Sequence, residues 1–221
     1  MPPRGRSPSG LILVDKRAGP SSFAIVAQIR RRTGARTGHA GTLDPFATGL
    51  LLVLSGDSTK LASRFVGLDK RYLSKVDLRA TTTTGDPEGD VVEEHRPPSA
   101  AELADHLDSL RGEVELPVPA ASAVKIGGER AYRLHRRGVD VEMPLRRSRV
   151  EALELLAYAD GTATLDLRVS SGTYVRSLAA ALGGHCATLR RTEVGPFRVD
   201  EADPEKVIPP EEALARIEVA A

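Results

Sequence analysis

The run LLLVLSG at 50–56 constrains this chain more than any other stretch. It is apolar throughout and reads as a buried strand. Strand signals recur on both sides of it: GLILVDK at 10–16, the alternating KRYLSKVDLRA at 70–80, and VVEEH at 91–95, which returns from the turn TTTTGDPEGD. Two more alternating stretches fall at 145–157 and 162–170, and EVGPFRVDEA is expected as a strand. Helices fall between them. PSSFAIVAQIRRRTG has Ser21 or Ser22 as its cap, Gly34 as its stop, and Phe23, Val26 and Ala27 on one face. DSTKLASRFVGLD is expected as a helix capped by Asp57. SAAELADHLDSLRG shows a capping box, Ser99 with Glu102, and a closing Gly112. VKIGGERAYRLHRRG reads as a strand, a glycine turn and a short basic helix, and GTYVRSLAAALG and PPEEALARI as two further helices. Strands mostly neighbour strands, so the class is α+β, with a mixed, largely antiparallel central sheet flanked by helices.

No apolar run approaches the roughly 20 residues that cross a bilayer. The opening MPPRGRSPSG lacks the apolar core of a signal peptide, and residues 1–9 are expected as a disordered lead. The single cysteine, Cys186, allows no internal disulfide and no multi-cysteine zinc pattern, and fits a small half-buried core residue. A cytoplasmic protein with no membrane contact is expected, acting as a monomer. The net charge of +1 hides a segregation. Lys16 to Arg36 holds six basic residues and no acidic one, and Lys125 to Arg149 holds eight basic and three acidic. From Asp200 to Ala221 there are seven acidic and two basic, so 201–221 is expected as an acidic tail ending in a helix. Two basic segments point to a polyanion, nucleic acid above all.

Several chemistries find no support. There is no G-x-x-x-x-G-K-[ST] and no G-x-G-x-x-G, so no nucleotide cofactor is expected. No H-x-x-x-H pair exists, the deaminase signature is missing, and no metal is expected. DPEGD at 86–90 imitates half of a calcium loop, but Val91 and Pro97 stand where the glycine and the glutamate should be; it reads as a hairpin turn.

Immediately before the buried strand stands GHAGTLDPFATG, 38–49, with neither a helical nor a strand period. Asp44 there has a local reading as an Asp-Pro turn. It also has a functional one, a carboxylate held rigidly in a loop whose glycines let a ligand approach. The segment GHAGTLDPFATGLL closely resembles the catalytic motif of the pseudouridine synthases of the TruB type, which modify the T loop of transfer RNA. The likeness continues in order through LILVDKRAGPSS, STKLASRFVGLDKRY, SAVKIGGERAYRLHRRG, SSGTYVRSLAAALG and LRRTEVGPF, and covers about residues 10–200. It implies the pseudouridine synthase fold, with a catalytic domain over 10–200 and an RNA-binding thumb at about 122–145.

The resemblance also implies roles. Asp44 falls on the nucleophile, Tyr72 on the tyrosine that stacks on the uracil, and Arg176 on the arginine that pairs with the aspartate. Tyr174 and Leu189 fall on the uracil pocket, His39 on the histidine that contacts RNA beside the flipped base, and Lys16 and Lys60 on basic positions near the site. From the two basic segments, Arg30, Arg31, Arg32, Arg36, Lys125, Arg133, Arg136 and Arg137 are expected against the RNA backbone. The chemistry is consistent with this. Pseudouridine forms by breaking C1′–N1, turning the uracil and joining C5 to C1′, which needs no redox step. A carboxylate can divide that into two easier steps, and the target base must leave its stack to be reached. Attack on C1′, attack on C6 and assistance through a glycal all stay open.

Three departures from the family stand out. The sequence ends in what is expected to be an acidic helix, so the small RNA-binding domain of the PUA type that family members commonly carry is not expected. The stretch GHCAT between AALG and LRR is short, with Ala180 and Ala181 where acidic residues are common. Arg17 and Ala121 stand where a proline and a larger residue are common. The expected partner is the T arm of transfer RNA, with position 55 as the modified uridine. A non-catalytic RNA chaperone and a guide-dependent synthase acting on other RNA are the alternatives. The retained Asp44, Tyr72 and Arg176 argue against the first, and the missing domain against the second.

Overall fold

The computed structural model describes residues 9–219. The expected disordered lead lies outside the described residues except for Ser9, whose hydroxyl accepts the Asp57 amide at 3.1 Å. The chain forms two compact units. One runs up to Arg71 and resumes at Arg190; the other is Tyr72–Leu189.

The first unit opens with β1 (Gly10–Lys16), α1 (Ser22–Thr33), β2 (Thr37–His39) and β3 (Thr48–Ser55). β3 contains the apolar run and is buried from Gly49 to Ser55. β1 pairs with it antiparallel in unbroken register, from Gly10 opposite Ser55 to Lys16 opposite Gly49. β2 also pairs with β3 antiparallel. In α1 the Ser21 hydroxyl caps the Ala24 amide, and Gly34 ends the helix at φ 65°, a left-handed conformation that costs glycine nothing. Val26 and Ile29 turn inward, but Phe23, expected on that face, is 68% exposed. The stretch expected as a helix capped by Asp57 divides. Gly56–Leu61 is a 3-10 turn with Asp57 inside it, and α2 is only Ala62–Val66.

β4 (Lys70–Asp77) starts in this unit and continues into the second. There β5 (Ala80–Thr82) and β6 (Val91–Glu94) form the anticipated hairpin, and α3 (Ala100–Ser109) has both halves of its capping box. Next come β7 (Gly112–Pro117), the short hairpin β8 (Lys125–Ile126) and β9 (Glu129–Arg130), and α4 (Ala131–Arg136). β10 (Leu145–Ala159) pairs antiparallel with both β7 and β11 (Thr162–Val169), and α5 is Val175–Ala181. Leu153, Leu165, Leu167, Val169 and Leu178 are buried.

β12 (His185–Val194) begins in the second unit and ends in the first. There Arg190 and Arg191 run parallel to Thr48 and Gly49 of β3. The chain closes with β13 (Phe197–Arg198), β14 (Asp203–Ile208) and α6 (Pro210–Val219). Residues 201–219, the described part of the expected acidic tail, are thus built into the first unit. β14 pairs antiparallel with β1 across a register shift, and Ala213, Leu214 and Ile217 of α6 pack on the core of Leu11, Leu13, Leu50, Leu52, Leu54, Phe65 and Phe197. DPEKVI gives no alternation to read. Its proline and charges are tolerated because an edge strand completes only one ladder.

Candidate active site

Asp44 lies, half-buried, in the connection 40–47 between β2 and β3. This stretch has no ladder of its own, yet side chains from three other segments hold its backbone. Arg191 of β12 donates to the Gly41 carbonyl at 3.1 Å and the Thr42 carbonyl at 3.4 Å. The Ser22 hydroxyl of α1 donates to the Leu43 carbonyl and accepts the Leu43 amide, both at 2.8 Å. Lys16 of β1 donates to the Pro45 carbonyl at 3.1 Å, and the Gly19 amide donates to the same oxygen at 2.9 Å. The Asp44 carbonyl accepts the Ala47 amide at 3.2 Å. Gly41 has φ 94°, a conformation that disfavours any side chain. The residues flanking Asp44 are therefore fixed on either side of it.

Lys16 was expected among the substrate contacts. It is 1% exposed, and its ammonium also donates to the Arg17 carbonyl at 3.0 Å and the Pro20 carbonyl at 2.9 Å. Through these bonds it ties the end of β1 to the loop at Pro45. Lys60 stands exposed on the 3-10 turn and pairs with Asp57 at 2.8 Å.

The Arg191 charge acts on two other groups of this unit. His39 ends β2 with its Nδ1 buried and unbonded. Burial first, and the Arg191 charge second, hold its pKa below the usual imidazole value, which keeps it neutral at pH 7. Lys70 opens β4 and is 6% exposed, donating to the Val66 carbonyl at 2.7 Å and to that of Leu68. Burial, and then Arg191, bring its pKa down to about 8, with Asp69 opposing. Neither Arg191 nor Lys70 was singled out from the sequence. The adjacent arginines of LRRTEVGPF give no sign that one faces solvent and the other does not.

In the second unit, Arg176 sits in the first turn of α5 and is 3% exposed. It donates to the Thr84 carbonyl at 2.7 Å and the Ala121 carbonyl at 3.0 Å, and pairs with the Asp86 carboxylate at 3.2 Å. Asp86 is also buried, and accepts the Thr84 hydroxyl at 2.6 Å and the Glu88 amide at 3.0 Å. Sequence reasoning took DPEGD for a turn, as it is, and so missed the arginine's partner within this unit. Ninety residues of separation carry no local signal of that pairing. Tyr174 precedes α5 as its cap residue, while Tyr72 on β4 and Leu189 on β12 are both 7% exposed.

The expected RNA-backbone residues sort by how far they are already engaged. Arg30 bonds to the Thr37 hydroxyl and carbonyl at 3.3 and 3.1 Å, tying α1 to β2, and Arg32 pairs with Glu205 and the Pro204 carbonyl at β14. Arg31 and Arg36 are exposed. In the segment expected as a thumb, Lys125 is exposed, Arg133 and Arg136 lie over the Tyr132 ring at 5.9 and 5.6 Å, and Arg137 forks onto Glu129 with two bonds of 2.9 Å.

Solved structures define the class. A chain of a Cbf5-Nop10-Gar1 complex matches with a TM-score of 0.67 at 28% identity, over 87% of this chain and 50% of that one. A structure described as a pseudouridylate synthase shares the fold at a TM-score of 0.51 and 17% identity, over 96% of this chain and 74% of that one. The fold is that of the pseudouridine synthases. The sequence model of the TruB family pseudouridylate synthase N-terminal domain matches residues 30–175. Curated relatives called tRNA pseudouridine synthase B are 45% identical in Mycobacterium sp. (strain KMS), over 88% of this chain and 70% of theirs, and 43% identical in Leifsonia xyli subsp. xyli (strain CTCB07), over 93% and 74%. One from Geobacillus kaustophilus (strain HTA426) is 40% identical over 87% and 73%. The chain belongs to the TruB family of pseudouridine synthases and is an isomerase.

Proposed function

We propose that this chain converts uridine 55 in the T loop of transfer RNA to pseudouridine, taking the base out of its stack and using Asp44 as the nucleophile. The observation that carries the reading is the GHAGTLDPFATG loop, complete in sequence and gripped by Arg191, Ser22 and Lys16 so that Asp44 is presented from fixed backbone. A nucleophile held in advance avoids the ordering cost at the moment of reaction. Its relatives' name supports transfer RNA as the substrate.

Each residue then has a task. The Asp44 carboxylate bonds to the flipped nucleotide by one of two routes. At C1′ it displaces N1 and is itself displaced when C5 of the turned uracil joins C1′. At C6 it adds to the ring, the C1′–N1 bond breaks, C5 joins C1′, and the carboxylate is then eliminated from C6. In both routes C5 gives up its proton and N1 gains one. Tyr72 lies against the uracil, with Tyr174 and Leu189 lining its pocket. Arg176 pairs with Asp44 and keeps it ionised. His39, neutral and with an unbonded Nδ1, meets the RNA beside the vacated stack. Arg31, Arg36, Lys125, Arg133 and Arg136 face the backbone phosphates.

Asp44→Asn removes the nucleophile and almost no volume. In single-turnover assays with enzyme in excess over unmodified transfer RNA, the variant should lose at least about a thousandfold in rate while RNA affinity stays within about threefold. Conversion at the wild-type rate would end the assignment.

A further inference from the structure

We propose that Arg191 is a positioning residue for the isomerisation, setting the backbone from which Asp44 acts; this deepens the reading of Asp44 given above and rests on it. Arg191 is 1% exposed and the largest fully buried side chain of the described residues. Burying a cation is expensive unless it is paired. Yet Arg191 forms no ion pair with any described carboxylate, and its bonds all go to backbone oxygens: Leu50 at 2.7 Å, Gly41 at 3.1 Å and Thr42 at 3.4 Å. These acceptors are not scattered. Gly41 and Thr42 begin the loop that carries Asp44, and Leu50 lies just past its end, on β3. One rigid planar fork thus spans both arms of the loop.

Its own backbone is equally constrained. Arg191 stands opposite Gly49 in the parallel ladder, and Gly49 has φ 101°. A side chain at Gly49 would collide with the Arg191 backbone, so β12 approaches β3 more closely here than any other residue would allow. The guanidinium starts from a fixed point and ends on the loop. A structure that needed only stability would be served as well by an apolar side chain packed under a self-sufficient turn, without the cost of a buried cation. What the arginine adds is direction: three carbonyls held at once by a group whose donors keep their angles. A lysine has donors enough, as Lys16 shows, but its ammonium is a single point on a flexible stem and does not fix the angles between its bonds as a guanidinium does.

The test separates positioning from stability. Arg191→Lys and Arg191→Gln are compared with wild type at a temperature where each is fully folded, by single-turnover rate at saturating enzyme and by RNA affinity. The expected result is a rate at least thirtyfold lower in both, with affinity changed less than threefold. Arg191→Lys should recover thermal stability relative to Arg191→Gln without recovering rate. A folded variant that reacts at the wild-type rate overturns the proposal, and so does a rate that follows stability alone. If neither variant folds, the wild-type Arg191 guanidinium is followed by nuclear magnetic resonance. Hindered rotation and slow Nε–H exchange are expected, and free rotation overturns the proposal. Asp44→Asn is measured alongside. An active Asp44→Asn sinks the nucleophile assignment itself, whereas an inactive one beside active Arg191 variants sinks only the inference.

Discussion

Lys70 and Asp86 were both passed over in the sequence, and each now makes a measurable claim. Burial and the Arg191 charge hold Lys70 down to about 8 from an ordinary 10.5. Below pH 8 it is protonated in the folded and unfolded states alike, and the cost of its buried charge is fully present. Between about 8 and 10.5 the unfolded chain binds the extra proton, so stability rises with pH. Measured by urea denaturation, wild type should gain up to roughly 3 kcal/mol over that window relative to Lys70→Met. Parallel curves for the two proteins would show that Lys70 keeps an ordinary pKa. Asp86 is the buried counter-charge to Arg176 within its unit. Asp86→Asn keeps the shape and leaves the guanidinium with less compensation. It should cost about 3 kcal/mol of folding stability, and a loss below 0.5 kcal/mol would mean that the pair is balanced elsewhere.

At the scale of elements, the thumb separates arginines that are engaged from those that are not. Arg137 is committed to Glu129, whereas Arg133 and Arg136 lie over Tyr132 and are exposed. Reversing Arg133 or Arg136 to Glu should therefore weaken RNA binding and flatten its salt dependence by about 0.7–0.9 per lost phosphate contact. Arg137→Glu should have the smaller effect on the slope. Binding across a salt series checks this, and equal slopes for all three variants would contradict it. The basic helix itself was legible, as were β1, α1, β3, the β5–β6 hairpin and the α3 capping box. In each of these the signal is local: a cap, a glycine stop, an apolar period. What sequence did not reveal depends on distant partners. β14 is a strand only because β1 offers an open edge. Phe23 has a helix-face position but points away from the core. Lys16 was expected near the site, but its bonds to the Pro20 and Pro45 carbonyls had no signal in the sequence. The same limit applied at the site. Asp44 was singled out from its motif, whereas Arg191 and Asp86 make bonds to residues far along the chain that no local pattern signals.

At the scale of the whole molecule, the acidic end is less free than its charge suggested. Glu201 pairs with Arg216, Glu205 with Arg32, and Asp200 with Arg198, while α6 packs on the core of the first unit. The acidic segment satisfies arginines of the first unit, and under the proposed function the RNA contacts fall to the segment expected as a thumb and to the exposed part of α1. Phosphate contacts from these surfaces would hold the T arm without naming a base; selection of one uridine must come from the flipped nucleotide and the loop that meets it. The most direct measurement is to incubate the purified full chain with unmodified transfer RNA and map pseudouridine by chemical modification, with Asp44→Asn in parallel. The account predicts one new pseudouridine, at position 55 of the T loop, formed by wild type and absent with Asp44→Asn. Pseudouridine at other positions with none at 55, or conversion that persists in Asp44→Asn, would contradict it.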